Sequence, residues 1–513
     1  MTLLKKNIIA NFAGNIWTAL MGLVFVPLYI HFMGIEAYGL TGFFAALLGV
    51  FGILDMGLST TLNREMARLS VQQDKAQEMR DLLRTLEIPY WLVALLIGII
   101  VLLVSPFIAY HWVKVKELSP DSVHTAVMLM GLCLAFQWPM SFYSGGLMGL
   151  QRHVLLNTIN VVAATFRGIG AVLVLWLISP TVEAFFWWQA VVSAFHIMSI
   201  VFFVWHSLPS APKLPRFRQE LLRNIWRFAA GMTGITLTVL FLVHLDKIIL
   251  SRILSLEMFG YYTLAYVVAG TLYRVIGPVY SATYPKMTTL VESGNEKELI
   301  QLYHKSAQLI SVLVLPAALL LAFFSKEILL IWTRNPVTAD NTYLLVSILV
   351  MGTAFNGLMN IPFALQLAHG WTRLALNVNI VSVLILVPLL IVFAQKYGAV
   401  GAASIWLILN TSYVFITPTL MHRRLLSGEK WRWYVEDVGR PLFAAGTVCL
   451  VGRMIINFDW PVLPLITGIG MVSLVALLAG ALAAKQLDIP ANAMVILRMI
   501  QAKYKIFTSR KTR

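Results

Sequence analysis

The amino-acid sequence predicts an all-α integral membrane protein with about fourteen transmembrane helices. Of its 513 residues, 59% are hydrophobic and only 12% are charged, and its mean hydropathy is +0.79. In soluble domains about a quarter of the residues are charged, so the composition of this chain lies outside their range. Apolar runs close to the length that spans a bilayer recur along the chain. They lack period-2 alternation, which excludes an outer-membrane barrel.

The spans are predicted from these runs and tested by the placement of Lys and Arg. They lie at 8–32, 38–60, 88–110, 122–147, 154–178, 182–206, 225–250, 259–281, 306–332, 341–367, 374–394, 398–421, 440–457 and 461–484. Most Lys and Arg residues fall on alternate loops, as the positive-inside rule requires. Both termini are therefore predicted to be cytoplasmic. The same bias explains the net charge of +16, which on a soluble chain would suggest nucleic-acid binding.

An internal repeat is visible in two pairs of segments that match at nearly the same shift. The pairs are HFMGIEAYGLTGFFAALLG (31–49) with RILSLEMFGYYTLAYVVAG (252–270), and RHVLLNTIN (152–160) with WTRLALNVN (371–379). In the first pair Glu36 aligns with Glu257 and Gly39 with Gly260. Because the repeats are separated by an even number of spans, they are parallel. The predicted lobes are thus related by a pseudo-two-fold axis along the membrane normal.

The repeat predicts a division of the chain into five parts. They are an N-terminal six-helix lobe (1–208), a basic cytoplasmic linker (209–224), a C-terminal six-helix lobe (225–422), a loop with two extra transmembrane helices (423–484) and a basic cytoplasmic tail (485–513). The Pro-rich linker suits a connection about which two lobes rock. Alternating access by such rocking is the hypothesis that follows.

Several stretches resemble, in order and spacing, the polysaccharide flippases of the multidrug/oligosaccharidyl-lipid/polysaccharide (MOP) exporter superfamily. These are LGVFGILDMGLSTTLNREMARL, GGLMGLQRHVLLNTIN, LDKIILSRILSLEMFGYYTLAY, IGPVYSATYPKMTTL and KYGAVGAASIW. The resemblance extends over about residues 7–422. Its specificity lies in the series of stretches, since none of them is a catalytic motif.

The resemblance implies a function for the whole chain. It implies translocation of an undecaprenyl-diphosphate-linked oligosaccharide across the bacterial cytoplasmic membrane, for synthesis of a surface polysaccharide such as O-antigen. In that superfamily the first, second, seventh and eighth helices largely line the central cavity. Membrane lipids, a polysaccharide polymerase and a chain-length regulator are candidate partners, and H+ or Na+ is a candidate coupling ion. No cofactor is expected, because flipping makes and breaks no bond.

Three cations within the predicted spans are candidate ligands for the diphosphate. A cation facing lipid costs roughly 2.5 to 3.5 kcal/mol, so these side chains should face protein or water. For Arg274, whose guanidinium can form paired hydrogen bonds, a ligand role is favoured over an ion pair with Asp246. For Arg167, structural pairing is favoured over cavity lining. For Lys247, cavity lining and snorkelling to the outer interface stay open.

Other polar residues at membrane depth have candidate roles in binding, gating or ion coupling. Asp246 needs a cavity or a partner cation, and it is a candidate for both substrate binding and ion coupling. Asp55 lines a cytoplasmic gate or, equally, caps or pairs with the following loop near Arg64. Asn15 is a candidate contact for sugar hydroxyls, although most such residues join helices through hydrogen bonds.

Three alternative functions compete with the polysaccharide flippase. A cation-coupled multidrug exporter should have an acidic cavity, whereas the mid-depth charges here are mainly cationic. A lipid II flippase would carry the same diphosphate, and only the series of motifs argues against it. A membrane enzyme that processes polysaccharide would need clustered catalytic residues, and the sequence contains no P-loop or HExxH motif.

Overall fold

The computed structural model describes residues 3–70, 72, 75–221, 244–457 and 460–487. Over these residues the secondary structure is helical, and the one β-bridge, between Lys114 and Ser255, is isolated. The all-α fold class is therefore confirmed. The exclusive use of helices follows from the membrane environment, where each backbone N–H and C=O must find a partner within its own segment.

The helices of the described residues follow one another with short connections. In chain order they are α1 (Leu3–Val24), α2 (Val26–Gly52), α3 (Leu58–Ser70), α4 (Ala76–Phe107), α5 (Pro120–Gln137), α6 (Met140–Gly149), α7 (His153–Leu177), α8 (Val182–Ser207), α9 (Leu256–Gly270), α10 (Tyr273–Glu292), α11 (Glu296–Phe323), α12 (Ser325–Thr333), α13 (Pro336–Leu358), α14 (Asn360–Ala368), α15 (Arg373–Met421), α16 (Lys430–Ile455) and α17 (Val462–Ala483). Residues 244–253 are also helical. Within α16, Trp433–Gly439 forms a π-helical turn.

Ten helices of the described residues are long and apolar enough to cross a membrane. The count of fourteen stays a prediction, for reasons that are specific to four regions. Most of the predicted span 225–250 lies outside the described residues. The span 259–281 is divided between α9 and α10, and α1 is not among the ten. The spans 374–394 and 398–421 form one helix, α15.

Glycine interrupts the helical backbone inside both α2 and α15. Gly34 in α2 has a φ of 83°, and Gly398 in α15 has a φ of 59°. This left-handed region is accessible to glycine without the steric cost that a Cβ would add. Gly34 lies in the loop predicted between the spans 8–32 and 38–60, and Gly398 lies at the predicted start of the span 398–421. A further turn, at Phe25, separates α1 from α2.

The described residues form two compact units, each with its own internal contacts. Unit 1 lies within Met1–Leu264, Trp332–Arg334 and Asn379–Ala402. Unit 2 lies within Ala265–Ile331, Asn335–Val378 and Ala403–Arg513. The five-part division that the sequence suggests stays a prediction.

The first half of the predicted linker is fixed to the start of α4 within unit 1. The carboxylate of Asp81 is 1% exposed and accepts a hydrogen bond from the backbone N–H of Arg216 at 2.9 Å. It also forms an ion pair with Arg218 at 3.0 Å. The backbone N–H of Arg218 donates to the Thr85 hydroxyl. A connection that lets two lobes rock would therefore have to begin after Arg218.

The two segments of the first repeat pair contact each other reciprocally inside unit 1. A Cβ added to Gly39 would press on the carbonyl oxygen of Leu256, and one added to Gly260 would press on the carbonyl oxygen of Ile35. Ile35 and Leu256 occupy equivalent positions in the aligned segments. Gly39 of the first segment thus packs against Leu256 of the second, and Gly260 of the second packs against Ile35 of the first. A local two-fold relation requires such a reciprocal contact.

The aligned glutamates of the repeat are bridged by one loop. Glu36, which is 3% exposed, accepts hydrogen bonds from the backbone N–H groups of Lys116 at 2.6 Å and Glu117 at 2.7 Å. The Lys116 ammonium donates to Glu257 at 2.8 Å, and this hydrogen bond raises the pKa of the ammonium. The loop before α5 therefore holds both copies of the repeated motif in place.

In unit 2, a buried histidine attaches α11 to α16. His304 is fully buried, and its Nδ1 lies 2.5 Å from a carboxylate oxygen of Asp437, which is also fully buried. Its Nε2 lies 2.9 Å from Glu429. Gln308, one turn further along α11, donates to the other oxygen of Asp437. A carboxylate at this depth is stable only while these donors are present.

Substitution of His304 by alanine should strongly destabilise the protein. The change leaves the Asp437 carboxylate buried without its histidine, and breaking a buried pair costs about 3 to 5 kcal/mol. Thermal unfolding of the purified protein in detergent measures the effect. The matched control is Lys326→Ala, which breaks the exposed pair with Asp340 at 2.6 Å and should leave the unfolding midpoint nearly unchanged. Equal shifts for both variants would contradict the assignment.

The reciprocal glycine contact predicts that Gly39→Ala and Gly260→Ala each lower the unfolding midpoint. The added methyl group forces the two segments apart, which typically costs about 1 to 3 kcal/mol. Gly270→Ala is the control, because an added Cβ there meets no described residue within 4 Å. That variant should be as stable as the wild type or slightly more so, since alanine favours helix. A similar loss in all three variants would rule out the close contact as its cause.

Candidate functional site

A polar cavity of about 460 Å3 lies within unit 1, among α1, α2, α5, α7 and α8. Its polar lining residues are Asn15, Thr18, Thr41, Gln137, Asn157, Asn160, Arg167, Gln189 and His196. Neither Asp nor Glu is among the residues that line it. The cavity therefore combines hydrogen-bonding groups with a cation and no compensating acid.

Arg167 is the only Lys or Arg among the residues that line this cavity. Its Nη2 donates to the Ser193 hydroxyl over a long distance of 3.4 Å. Its Nε is buried and has no hydrogen-bond partner among the described residues. No ion pair joins Arg167 to a carboxylate in the described part of the chain. The acidic partner that a structural ion pair requires is therefore not found among the described residues.

The groups around Arg167 are neutral and already hold one another in place. Gln137 donates to the Ser193 hydroxyl at 2.9 Å, and His196 is 3.0 Å from the side-chain oxygen of Asn160. The Nδ1 of His196 is buried without a hydrogen-bond partner. Two buried polar atoms, one on Arg167 and one on His196, are therefore left without partners next to the same cavity. Such atoms are rare in proteins, and they indicate room for a polar ligand or water.

The sequence analysis identified part of this cavity and missed the rest. Asn15 and Arg167, both predicted as candidates, line the same space, and Asn15 is exposed in it. Asn157, Asn160, Gln189 and His196 were missed as site residues. A signal was available, because Asn157, Asn160 and Arg167 on α7, like Gln189 and His196 on α8, recur at the spacing of one helix face.

Asp246 and Lys247 form an ion pair with each other and do not line the cavity. The Lys247 ammonium is 3.4 Å from one carboxylate oxygen of Asp246, and the Tyr262 hydroxyl donates to the other at 3.1 Å. Lys247 is 7% exposed, so its side chain does not extend to an exposed interface as snorkelling would require. The two side chains leave the helix about 100° apart, but the long lysine chain reaches back to its neighbour.

Asp55 is held by hydroxyl groups at the break between α2 and α3. It accepts hydrogen bonds from Ser59 at 2.6 Å and Tyr90 at 2.5 Å, with Ser141 further away at 3.4 Å. The next residue, Met56, has a φ of 47°. Arg64, two turns into α3, is exposed and lies 4.0 Å from Glu65. These hydroxyl contacts hold Asp55 at the break between the two helices, and the choice between capping and gating stays a prediction.

Arg274 occupies a different place in its helix from the one predicted. α9 ends at Gly270, and Arg274 is in the first turn of α10, which continues through Pro278 without a break. The chain turns between α9 and α10 at Thr271 and Leu272, whose N–H groups donate three residues back. Arg274 is exposed, and it belongs to unit 2.

Comparison with known proteins agrees with the fold and the composition of this chain. The sequence model of a family described as polysaccharide biosynthesis protein matches residues 4–291, which is more than half of the chain. A protein of Shigella flexneri named putative O-antigen transporter is 22% identical over 402 residues. That match covers 78% of this chain and 93% of the relative.

Two solved structures share the fold at low sequence identity. One is the lipid II flippase MurJ in an inward closed conformation, with a TM-score of 0.68, 15% identity and coverage of 94% of this chain and 99% of that one. The other is an inward-facing multidrug resistance MATE transporter of the MOP superfamily, with a TM-score of 0.63, 12% identity and coverage of 82% and 96%. Together with the family match, these similarities identify a membrane transporter and not an enzyme. The chain belongs to the family described as polysaccharide biosynthesis protein.

Proposed function

We propose that this protein flips an undecaprenyl-diphosphate-linked oligosaccharide across the bacterial cytoplasmic membrane, with both termini in the cytoplasm. The observation that carries the proposal is the unit 1 cavity with Arg167, a cation that has no acidic partner in the described residues. A diphosphate offers the charge and the acceptor oxygens that this guanidinium lacks. The name of the Shigella relative, a putative O-antigen transporter, supports the same class of cargo.

The neutral polar groups of the cavity suit the sugar part of the cargo. Asn15, Gln137 and Gln189 each carry an amide that can donate and accept hydrogen bonds, as sugar hydroxyls require. Trp and Phe side chains elsewhere on α7 and α8 face outward and are exposed. The site thus offers hydrogen bonds and one positive charge inside a unit whose outer surface is apolar.

The charge of the cavity argues against a cationic drug as the cargo. A cationic ligand would meet Arg167 and no lining carboxylate, so the electrostatic interaction would be repulsive. Asp246, an acidic candidate from the sequence, is already paired with Lys247 and hydrogen-bonded by Tyr262. H+ or Na+ coupling at Asp246 or Asp55, and contact with a polymerase and a chain-length regulator, remain parts of the proposal that need their own tests.

Depletion of the protein in its host should abolish the surface polysaccharide while the lipid-linked precursor accumulates in the cytoplasmic leaflet. Without the flippase the precursor stays in the cytoplasmic leaflet, because its charged head cannot cross the hydrocarbon core unaided. Extraction of the precursor and its accessibility to an externally added glycosidase measure both quantities. Unchanged polysaccharide together with increased drug sensitivity would refute the proposed cargo.

Substitution of Arg167 by glutamine should weaken binding of undecaprenyl diphosphate to the purified protein in nanodiscs by about 10- to 100-fold. This range corresponds to the loss of hydrogen bonds from a charged group, which contribute about 1.5 to 3 kcal/mol. Arg167→Lys should retain part of the affinity, because it keeps the charge but loses the paired donors. The unfolding midpoint should change little, since only one long hydrogen bond is removed.

Arg274→Gln is the matched control for this experiment, because it removes an exposed arginine of unit 2. We expect it to bind the diphosphate lipid nearly as the wild type does. The reverse result, with Arg274→Gln weakened and Arg167→Gln unaffected, would restore the assignment favoured from the sequence. It would also remove the unit 1 cavity from the diphosphate site.

A further inference from the structure

A second cavity, an apolar groove of about 560 Å3, lies between α7 and α8. We refer to it as the α7–α8 groove. It is lined by Leu155, Thr158, Ile159, Val162, Ala163, Phe166, Trp188, Val191, Val192, Phe195, His196, Ser199 and Phe203. Aromatic and branched aliphatic side chains form most of its wall. Two of them, Phe166 and Phe195, are more than half exposed, so the groove opens on the outer surface of the two helices.

The groove and the polar cavity are neighbours that share part of their walls. Ala163 and His196 line both. At this shared wall, the small side chain of Ala163 leaves space, and the His196 ring is hydrogen-bonded to Asn160. Arg167 follows Ala163 by one helical turn, on the cavity side. An ionic group near Arg167 is therefore within a short distance of an apolar channel that opens outward.

Only one kind of ligand matches both spaces at once. It must carry an anion and an apolar chain joined directly to each other. An ordinary phospholipid satisfies this chemistry, but it keeps its head group at the membrane surface. Arg167 lies near the middle of α7, a helix of 25 residues that is long enough to cross the bilayer. An anionic head therefore reaches Arg167 only if the protein carries it into the membrane interior, as a flippase does.

We propose that the α7–α8 groove holds the first isoprene units of the cargo's polyprenyl chain while the diphosphate lies beside Arg167. This inference rests on the proposed function and adds a tail site to it. The groove follows α7 from Leu155 to Phe166, roughly 17 Å at 1.5 Å per residue. That length holds the units next to the head, and the rest of the chain stays in lipid. Planar isoprene units can stack on the aromatic side chains of the wall.

The test places a photoreactive benzophenone amino acid at three single positions of the full-length protein in membranes. Val162 reports on the groove, and Met21 reports on the cavity. Ile169 is the matched control, because it is a branched aliphatic residue on the same face of α7, two turns away. Its exposure of 46% is close to the 48% of Val162, but it does not line the groove. The probes are undecaprenyl diphosphate and phosphatidylglycerol, each detected as an adduct by mass spectrometry.

We expect undecaprenyl diphosphate to form adducts at Met21 and at Val162, with a yield at Val162 about tenfold above that at Ile169. Phosphatidylglycerol should label Val162 and Ile169 equally, as bulk lipid does. Adding Arg167→Gln should lower the Val162 adduct of the diphosphate lipid and leave the phospholipid adducts unchanged. Val162→Trp, which fills the groove, should reduce surface polysaccharide in cells, whereas Ile169→Trp should not.

The outcomes separate a failure of the tail site from a failure of the proposed function. Adducts at Met21 without enrichment at Val162 would overturn the tail site and leave the diphosphate cargo in place. Equal enrichment of phosphatidylglycerol at Val162 would also overturn it, since the groove would then be a phospholipid site. Loss of undecaprenyl diphosphate adducts at both Met21 and Val162 would refute the proposed cargo together with its tail site.

Discussion

The cost of placing charge inside a membrane is the constraint on which this structure depends. Most buried charges among the described residues meet it with a partner on the same unit. Lys247 reaches back to Asp246, Arg453 pairs with the buried Glu327, and His304 bridges two carboxylates. The pairs of Arg453 and His304 also attach one segment to another, because neither partner can leave without exposing the other, whereas Lys247 and Asp246 are neighbours in one helix. Arg167 has no acidic partner among the described residues, and the proposed function assigns it a binding role for that reason.

The glycines at the repeated positions show how the two copies of a duplicated segment come into close contact. Helices gain little from burying apolar side chains when the surrounding lipid is itself apolar, so close approach of their backbones matters more. Gly39 and Gly260 allow that approach, each against the carbonyl group supplied by the other repeat. The alignment from the sequence and the reciprocity of the contact are independent observations. Their agreement makes a chance resemblance between the two segments a poor explanation.

The class of fold could be predicted from the sequence because hydropathy reports directly on the solvent around each helix. Details that depend on the path of the backbone could not be predicted in this way. The break between α9 and α10 follows Gly270, well before Pro278, and residue type alone does not indicate that position. The ion-pair partners of long charged side chains could not be predicted from the sequence either. Arg453 of α16 is paired with Glu327 of α12, a partner distant in sequence that no local pattern indicates.

The site illustrates the same limit in terms of individual residues. Arg167 and Arg274 look alike in sequence, since both are arginines in apolar surroundings. What distinguishes them is the set of side chains around each, and that set comes from helices distant in sequence. Asn15 of α1, Gln137 of α5 and Gln189 of α8 meet Arg167 only after folding. The spacing of polar residues on α7 and α8 was the one local signal that could have identified the cavity.

A cation without an acidic partner in the described part of the chain also has a consequence for how the cavity can work. A guanidinium withdrawn from water without an anion loses several kcal/mol of solvation, so the empty cavity is stable only while water reaches Arg167. An anionic cargo supplies the missing partner, and the cavity can then lose its water at a much lower cost. Under the proposed function, cargo binding would favour the closed, dry state of the site over its empty form. The same residue that binds the diphosphate would thereby oppose a futile cycle of the empty transporter.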